Sequence, residues 1–299
     1  MVPDRNAADC PMDLAGMIAE EIRNFTRKSP DNRMPETSGD AIFDEPLVKF
    51  ADGDDPIFVK YKEIIDPSHL TPREALAIDY GGESGVTADH VSVISWILPI
   101  REKTRRSNRV QTEVPSRLWS HTRWFGEQFN AVLRRHTLGT LRAMGAVAVA
   151  PGLPPILQMK SNEKGLFSNW SERHVAFAAG LGTFGLSDGF ITERGIAHRC
   201  GSVVCSLELQ PSARTSDDPY GNCLHYVQDS CGLCMLRCPA GAITEAGHDK
   251  EKCRQYLNRI GYNPKTFADG YDLATSVAGC GLCQTGVSCE FGNPTSTVE

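Results

Sequence analysis

The sequence predicts an α+β protein in which a core of helices and strands is followed by a small cysteine-rich domain. Short apolar runs rich in Val and Ile are typical of buried strands, and longer segments with apolar residues three and four positions apart are typical of amphipathic helices. Eight of the 11 cysteines fall between residues 223 and 289. With 40% hydrophobic residues, a chain of 299 residues can bury a core without disulfide staples.

The N-terminal part predicts one helix followed by loops. Residues 12–27, "MDLAGMIAEEIRNFTR", place apolar side chains at helical spacing with charged residues between them. From 29 to 70 the chain is rich in Pro, Asp and Gly, which favours ordered loops over long regular elements. We therefore predict an N-terminal region of helix and loops over residues 1–70.

The middle of the chain alternates strand and helix patterns. "HVSVISWILPI", "GAVAVAP" and "CGSVVCSLEL" predict three buried strands. A long helix with apolar positions from Leu118 to Met144 separates the first two, and a shorter helix, with Ser171 as N-cap and Gly180 as its stop, precedes the third. The composition shifts near 212–222, so we predict a cofactor-binding core over 71–215 and a second domain over 216–299.

Charge and the N-terminal segment predict a cytoplasmic protein with reduced thiols. The N-terminus is acidic and lacks a basic region and a twin arginine, and the most apolar run, 91–99, is about half of what a membrane-spanning helix requires. The formal net charge of −6 argues against nucleic acid as a partner. "REKTRRSNR", residues 101–109, is most simply a solvated loop, with a phosphate or redox-partner contact as the alternative.

The cysteine-rich region has the right number of thiols for two four-thiolate metal sites. The C-x2-C pairs at 231/234 and 280/283 are compatible with a zinc ribbon. The eight candidate ligands are Cys223, Cys231, Cys234, Cys238, Cys253, Cys280, Cys283 and Cys289. Cys10, Cys200 and Cys205 remain outside this set and are interpreted as structural thiols.

The spacing within "CGLCMLRCPAGAI", residues 231–243, favours two [4Fe-4S] clusters over zinc. C-x2-C-x3-C-P is the latter part of the bacterial ferredoxin run, in which the last cysteine ligates the other cluster. The small residues after Pro239 would let backbone N–H groups approach cluster sulfur. The first cysteine of the run is expected at position 228, which is Gln228, and Cys223 is its replacement.

The ferredoxin crossover rule also predicts how the ligands divide. One cluster would take Cys223, Cys231, Cys234 and Cys289, and the other would take Cys238, Cys253, Cys280 and Cys283.

A glycine-rich loop precedes the third strand. "AGLGTFG", residues 179–185, matches G-x-G-x-x-G, but a helix enters this loop and a strand leaves it, which is the reverse of a dinucleotide-binding site. A plain helix-stop turn is one alternative.

Together with the cysteine block, the stretch "HVAFAAGLGTFGLSDGFITERGIAHRCGSVVCSLELQP" resembles the epoxyqueuosine reductase and reductive dehalogenase superfamily. The resemblance covers roughly residues 90–290. It implies a nitroreductase-like α/β core that binds a corrinoid, followed by a ferredoxin-like domain with two [4Fe-4S] clusters that pass electrons to cobalamin. It also implies that Gly180, Gly182 and Gly185 lie where the backbone approaches the corrinoid.

The same resemblance places the catalytic acid in "EQFNA", at Glu127 or Gln128. Glutamine cannot act as a general acid, so either Glu127 takes the role or the chemistry differs. Both residues could instead be ordinary solvated positions of an amphipathic helix. His121 and His174 are further candidates for proton donors, with surface or capping roles as the alternative.

Three functions remain open at this stage. The first is a cobalamin-dependent reductase of a small organic substrate, supplied by a low-potential donor of the ferredoxin or flavodoxin type. The second is a non-enzymatic electron-transfer protein without cobalamin. The third is tRNA modification, against which the acidic charge and the short stretch after Cys289 argue.

Overall fold

The computed structural model describes residues 13–35, 39–79, 88–163, 165–260 and 279–296, so Cys10 lies outside the described residues. The α-helices within these ranges are Leu14–Lys28 (α1), Ile57–Ile64 (α2), Pro72–Asp79 (α3), Glu102–Arg109 (α4), Arg117–Ala143 (α5), Glu172–Ala178 (α6), Leu224–Gln228 (α7), Leu233–Leu236 (α8) and Lys250–Ile260 (α9). Short 3-10 helices cover Pro30–Asn32 and Leu282–Gln284.

The strands in the same ranges are Leu47–Asp52 (β1), Ser92–Pro99 (β2), Ala148–Val149 (β3), Met159–Asn162 (β4), Gly165–Ser168 (β5), Gly182–Phe184 (β6), Phe190–Thr192 (β7), His198–Cys205 (β8), Ile243–Thr244 (β9) and Gly247–His248 (β10). The main sheet has the order β1-β2-β8-β3, and each neighbouring pair is antiparallel. The other strands form three small hairpins. The chain is therefore a mixed helix and sheet protein, as the sequence predicts.

The central strand β2 is buried along its whole length, as the apolar run predicts. Its side chains alternate between two cores. Ile94, Trp96 and Leu98 pack with α1 and α5 on one face of the sheet, whereas Val93 and Ile97 pack with α2, α3 and α6 on the other. Helices thus cover both faces of the sheet.

The predicted helices form where helical spacing and capping residues coincide. Asp13 accepts a hydrogen bond from Gly16 N–H at the start of α1, and Ser116 accepts one from Trp119 N–H at the start of α5. Ser171 occupies the N-cap position of α6, as predicted, but its side chain makes no capping hydrogen bond, and Gly180 follows the end of the helix with φ +76°. Helix α5 also contributes Asn130, whose amide joins the Trp96 indole to the Cys200 carbonyl.

The expectation of loops over 29–70 is wrong in two places. Residues 47–52 form β1, an edge strand that pairs with β2 over six positions, and residues 57–64 form α2. Alternation of buried Val48 and Phe50 with Lys49 supplies the strand pattern, which the surrounding Pro, Asp and Gly residues obscure. Pairing with β2 then fixes this segment in the sheet.

The interpretation of "REKTRRSNR" as a solvated loop is also wrong, because these residues form α4. An i,i+4 ion pair joins Glu102 to Arg106 at 2.8 Å, and Thr104 and Asn108 are buried on the opposite side of the helix. The high charge therefore decorates one face of a helix whose other face packs inward. No helix in the described ranges is long and apolar enough to cross a lipid bilayer.

Candidate functional site

The first group of four cysteines surrounds a single cavity. Cys223 immediately precedes α7, Cys231 and Cys234 lie just before and within α8, and Cys289 follows the second 3-10 helix. All four line the cavity together with apolar residues that form the third hydrophobic core of the chain, namely Leu186, Ile191, Ile196 and Val287. The walls of this cavity are therefore sulfur and hydrocarbon.

The thiols of this group influence one another electrostatically. Burial, together with the neighbouring thiols of Cys223 and Cys231, raises the pKa of Cys234 to about 11 and that of Cys289 to about 12. Without a metal Cys234 and Cys289 are therefore protonated at neutral pH. A cation that stabilises the thiolates would displace the protons.

The thiols of the second group also influence one another electrostatically. Burial, together with the neighbouring thiols of Cys238 and Cys253, raises the pKa of Cys280 to about 11. Burial also raises the pKa of Cys283, and the thiols of Cys280, Cys253, Cys238 and Cys234 add to the increase. The two groups are therefore neighbours.

Among the described residues, no three histidine, cysteine or carboxylate side chains converge closely enough to hold a single metal ion. A tetrahedral zinc would bring its thiolates to about 3.8 Å from one another, whereas the thiolates of a four-iron cluster enclose a larger core.

The turn after Cys238 presents a backbone donor to sulfur. Ala242 N–H lies 3.3 Å from Cys238 Sγ, and Gly241 between them adopts φ +58°. A left-handed residue at this point suits glycine. The "AGAI" segment thus does bring a backbone N–H to sulfur, although in the described structure the acceptor is the cysteine sulfur.

Helix α4 and Arg237 fasten the segment that carries Cys280, Cys283 and Cys289. Asn108 Nδ2 donates to Thr285 Oγ1 at 3.1 Å, and Arg109 forms a two-pronged ion pair with the buried Glu290 at 2.9 and 2.6 Å. Arg237 donates to the carbonyls of Leu282 and Thr285, and also to that of Asn108. Two side chains of the basic segment are therefore used inside the protein.

A second, polar cavity of about 370 Å³ lies between α5, α6 and β8. Its lining includes two carboxylates, three arginines, a histidine and a thiol: Glu127, Glu172, Arg134, Arg173, Arg199, His198 and Cys200. The sequence offers no local pattern for Glu172, Arg134 or His198, because each is a single residue brought in by a different element.

Arg134 bridges the two carboxylates of the polar cavity. Its guanidinium lies 3.2 Å from Glu127 and 2.9 Å from Glu172, and its side chain is 3% exposed. Although burial opposes ionisation of Glu127, Arg199, Arg134 and Arg123 together hold its pKa below the usual value. Burial dominates at Glu172 and raises its pKa. The pKa values of the two carboxyl groups are therefore shifted in opposite directions.

The structure separates the two residues expected to carry the acid. Glu127 lines the polar cavity, whereas Gln128 is exposed and is not among its lining residues. Because Glu127 is held ionised by its arginines, it is poorly suited to deliver a proton at neutral pH.

Cys200 and His198 form a pair beside these charges. Cys200 Sγ lies 3.7 Å from His198 Nδ1, and His198 Nε2 lies 2.7 Å from the Phe190 carbonyl oxygen. Burial raises the pKa of Cys200 to about 12 and lowers that of His198 to about 4, so both are neutral near pH 7. Cys205 is fully buried in the core, as a structural thiol should be.

Neither of the other two candidate histidines is a surface residue. His121 is 2% exposed. His174 has Nδ1 at 2.8 Å from Ser171 Oγ, and burial lowers its pKa to about 3.

The glycine loop is occupied by the protein's own backbone. A Cβ added at Gly180 would lie 2.5 Å from the Ala213 carbonyl oxygen, and one at Gly182 would lie 2.1 Å from the Ile191 carbonyl oxygen. Gly185 faces the Ile191 side chain and borders the cysteine cavity. Packing within the chain therefore requires the first two glycines, whether or not a corrinoid is present.

The two cavities share a boundary. Ile196 lines both of them, and Gln284, which follows Cys283, reaches the lining of the polar cavity. Both cysteine groups are thus close to the polar cavity.

No protein-family model and no curated protein matches the chain. Solved structures similar to it are epoxyqueuosine reductases. The Bacillus subtilis enzyme shares 16% identity over 93% of this chain and 66% of its own, with a TM-score of 0.46. The Streptococcus thermophilus enzyme shares 14% over 92% and 67%, with a TM-score of 0.43.

A further structure of an epoxyqueuosine reductase, solved with an epoxyqueuosine-modified tRNA-Tyr stem loop, shares 13% identity over 82% of this chain and 58% of its own, with a TM-score of 0.42. The chain thus spans about two thirds or less of the length of these neighbours. Its structural neighbours are therefore epoxyqueuosine reductases at low identity.

Proposed function

We propose that the protein is an iron–sulfur oxidoreductase that delivers electrons through two [4Fe-4S] clusters to a substrate in the polar cavity. The observation that supports the proposal is that four of the eight cysteines line a single apolar cavity, and the thiols of the other four influence one another electrostatically. The first cluster would be held by Cys223, Cys231, Cys234 and Cys289, and the second by Cys238, Cys253, Cys280 and Cys283.

The donor set fits such clusters. Thiolates are the usual ligands of [4Fe-4S] clusters, which supply one-electron transfer at potentials set by burial and by hydrogen bonds to sulfur. The apolar walls around the first group and the Ala242 N–H donor at Cys238 are features of that kind. For this function we propose a nitroreductase-like core that contains the polar cavity and a ferredoxin-like domain that holds the clusters.

The polar cavity is where we place the reduction. Arg134, held by Glu127 and Glu172, keeps the two carboxylates in position on facing walls. Glu172 has the raised pKa and can hold a proton, while the ionised Glu127 orients Arg134 and Arg199. This division reassigns the role expected of Glu127 and leaves none for the exposed Gln128.

Cobalamin remains the cofactor that the family resemblance implies, but the glycines expected to approach it do not form an open cradle. The space in front of Gly180 and Gly182 is filled by the Ala213 and Ile191 carbonyls. Cobalt content is therefore the measurement that decides between a cobalamin-dependent reductase and a reductase or electron carrier without cobalamin.

A nucleic-acid substrate is the second candidate. The expectation that nucleic acid is not a partner conflicts with the neighbour solved with a tRNA stem loop. Arg173 and Arg199 line the polar cavity and Arg123 lies beside Arg199, so this wall suits an anionic substrate. Electrophoretic shift of a tRNA anticodon stem loop tests this candidate, with an unmodified DNA hairpin of the same sequence as the control.

The main proposal is tested by reconstituting the anaerobically purified protein with iron, sulfide and cobalamin. We expect about eight iron atoms per chain and the visible spectrum of [4Fe-4S] clusters. About one cobalt per chain in addition would support cobalamin dependence. Zinc in place of iron would overturn the proposal.

The division of ligands is tested separately with Cys231→Ala and Cys238→Ala. Each variant should lose the paramagnetic signal of a different reduced cluster, and Cys200→Ala, outside both groups, should keep both. Loss of the same signal in the two variants would show that the assignment is wrong.

A further inference from the structure

The surface over the first cysteine group exposes apolar side chains. Helices α7 and α8 contain no buried residues. Leu236 is 84% exposed and Val227 48% exposed, and Tyr220, Tyr226 and Leu233 are also exposed. These five residues are called the α7–α8 patch below. Such a concentration of exposed apolar side chains marks a binding surface more often than single exposed residues do.

The patch is built directly on the cysteines. The N–H groups of Tyr226 and Val227 both donate to the Cys223 carbonyl, and Cys223 N–H donates to the Tyr220 carbonyl. The rings of Tyr220 and Tyr226 lie 4.4 Å apart. On the other side of the patch, Leu233 adjoins Cys234, and Leu236 lies between Cys234 and Cys238 in the chain.

The patch arises where this chain departs from ferredoxin spacing. The usual run has its first cysteine at the position of Gln228, and the displacement of the ligand to Cys223 places residues 224–228 after it, before the rest of the run. Those five residues are α7, which carries Tyr226 and Val227. The departure therefore adds an exposed apolar turn next to the first group.

The edge of the patch is acidic. Asp218 and Asp229 are exposed, and no ion pair joins either of them to another described residue. Asp217 is fully exposed and 3.9 Å from Arg214, whose closer partner is Asp55 at 2.8 Å. The Arg237 guanidinium donates hydrogen bonds to the Leu282 and Thr285 carbonyl oxygens. The exposed charged residues that adjoin Tyr220 and α7 in the chain are therefore acidic.

We propose that the α7–α8 patch is the docking surface of an electron-donor protein whose contact face is apolar at its centre and basic at its edge. The inference rests on the proposed function, because a donor is needed only if the first group holds a cluster. One electron passes from the reduced donor to the oxidised cluster, and no bond is made or broken. Gln284, which follows Cys283 of the second group, lines the polar cavity, so electrons would enter at the patch and leave at the cavity.

The acidic edge selects among donors. Electrostatic complementarity raises association rates and depends on salt, while the apolar centre excludes water at the contact. Among the donors of ferredoxin or flavodoxin type expected from the sequence, we therefore expect the partner to be one with a basic contact face. The basic α4, whose Asn108 and Arg109 hold the cysteine segment, is not needed as the docking site.

The test measures electron transfer from the reduced holoprotein to oxidised mitochondrial cytochrome c, a probe with an apolar haem edge ringed by lysines. The clusters are reduced with dithionite, and the excess dithionite is then removed. The reduction of cytochrome c, followed in a stopped-flow instrument, gives the second-order rate constant. The small oxidant hexaammineruthenium(III) reports cluster reactivity without protein docking. Tyr226→Ser, Val227→Ser and Leu236→Ser are compared with Val59→Ser and Ile78→Ser, which remove exposed apolar side chains from α2 and α3.

We expect the three patch variants to lower the rate constant with cytochrome c about tenfold and to leave the rate with the small oxidant unchanged. The α2 and α3 variants should match the unchanged protein with both oxidants. Asp218→Asn and Asp229→Asn should make the rate constant with cytochrome c depend less on salt concentration. These two variants test the proposal independently if a serine variant loses iron.

Two outcomes overturn the docking proposal while leaving the proposed function intact. One is a normal cluster spectrum with equal cytochrome rates in the patch variants and the controls. The other is a dimer in sedimentation that the patch variants dissociate, which would assign the surface to a second copy of the chain. Failure to bind iron at all would instead overturn the proposed function.

Discussion

Two consecutive residues of α5 show how strongly local position determines chemistry. Glu127 and Gln128 differ by about 100° around the helix axis, so only one of them can face the polar cavity. Glu127 does, and it meets Arg134 and Arg199, whereas Gln128 is exposed. Glu127 is thus held ionised by its neighbours, and Glu172, whose pKa burial raises, is the proton donor that we propose for the cavity.

Replacing Gly182 by Ala should destabilise the protein before any cofactor is bound. The new Cβ would lie 2.1 Å from the Ile191 carbonyl oxygen, and backbone cannot move aside as a flexible side chain can. We expect a loss of at least about 2 kcal/mol in the free energy of unfolding, measured in urea on the cofactor-free protein.

Gly139→Ala is the matched control, because Gly139 is exposed within α5 and nothing lies within 4 Å of the added carbon. It should stabilise the protein by about 0.5–1 kcal/mol. If Gly182→Ala were neutral without cofactor but reduced cobalamin binding, the glycine would instead be a corrinoid contact.

At the scale of single residues, site residues with a characteristic spacing could be predicted from the sequence, and site residues without one could not. The run from Cys231 to Pro239 follows ferredoxin spacing, so the number of ligands and their grouping could be proposed from sequence, and the structure places the displaced Cys223 in the cavity with Cys231, Cys234 and Cys289. Glu172 and His198 reach the polar cavity from α6 and β8, more than 25 residues apart in the chain. Only tertiary packing brings them together.

At the scale of elements, α4 shows why composition alone misleads. Four arginines in nine residues are typical of a solvated segment, but a helix has two faces, and α4 buries Asn108 while it exposes Arg106. Arg109, although its side chain is 40% exposed, pairs with the buried Glu290. The helix was not predicted because its few inward residues are polar and give no hydrophobic period.

Arg109→Met should weaken the attachment of the cysteine segment. It removes both hydrogen bonds from the guanidinium to Glu290, whose side chain is 2% exposed and would be left with only the Gly286 N–H donor. We expect a loss of about 2 kcal/mol in unfolding free energy and lower iron retention during gel filtration.

The control for this change is Arg106→Met on the same helix. Its partner Glu102 is exposed, so the pair contributes little, and the loss should stay below about 0.5 kcal/mol. Equal effects of the two variants would mean that α4 does not hold the cysteine segment through Glu290.

At the scale of the whole molecule, the described residues of the cysteine-rich part form little core of their own. The two large cores lie on the two faces of the main sheet, and the third contains six buried residues, one of them Cys223. The sequence predicted a boundary near 212–222 from composition, but the sheet and its edge strand β1 could not be foreseen, because strand pairing joins residues distant in the chain.

Removal of the clusters should therefore loosen one part of the molecule selectively. The buried thiols have raised pKa values and would be protonated without metal, so the four-way connection that a cluster makes between segments would be lost. Strand β2 does not depend on either cysteine group, since its apolar side chains pack in the two large cores.

Hydrogen exchange followed by mass spectrometry, before and after oxidative removal of iron with a chelator, measures this effect. Exchange should become faster in peptides covering α7, α8 and residues 279–290, and it should be unchanged in β2 and β8. Equal loss of protection in β2 would mean that the sheet and the cysteine-rich part unfold as one cooperative unit, and the boundary expected near residues 212–222 would then have no energetic meaning.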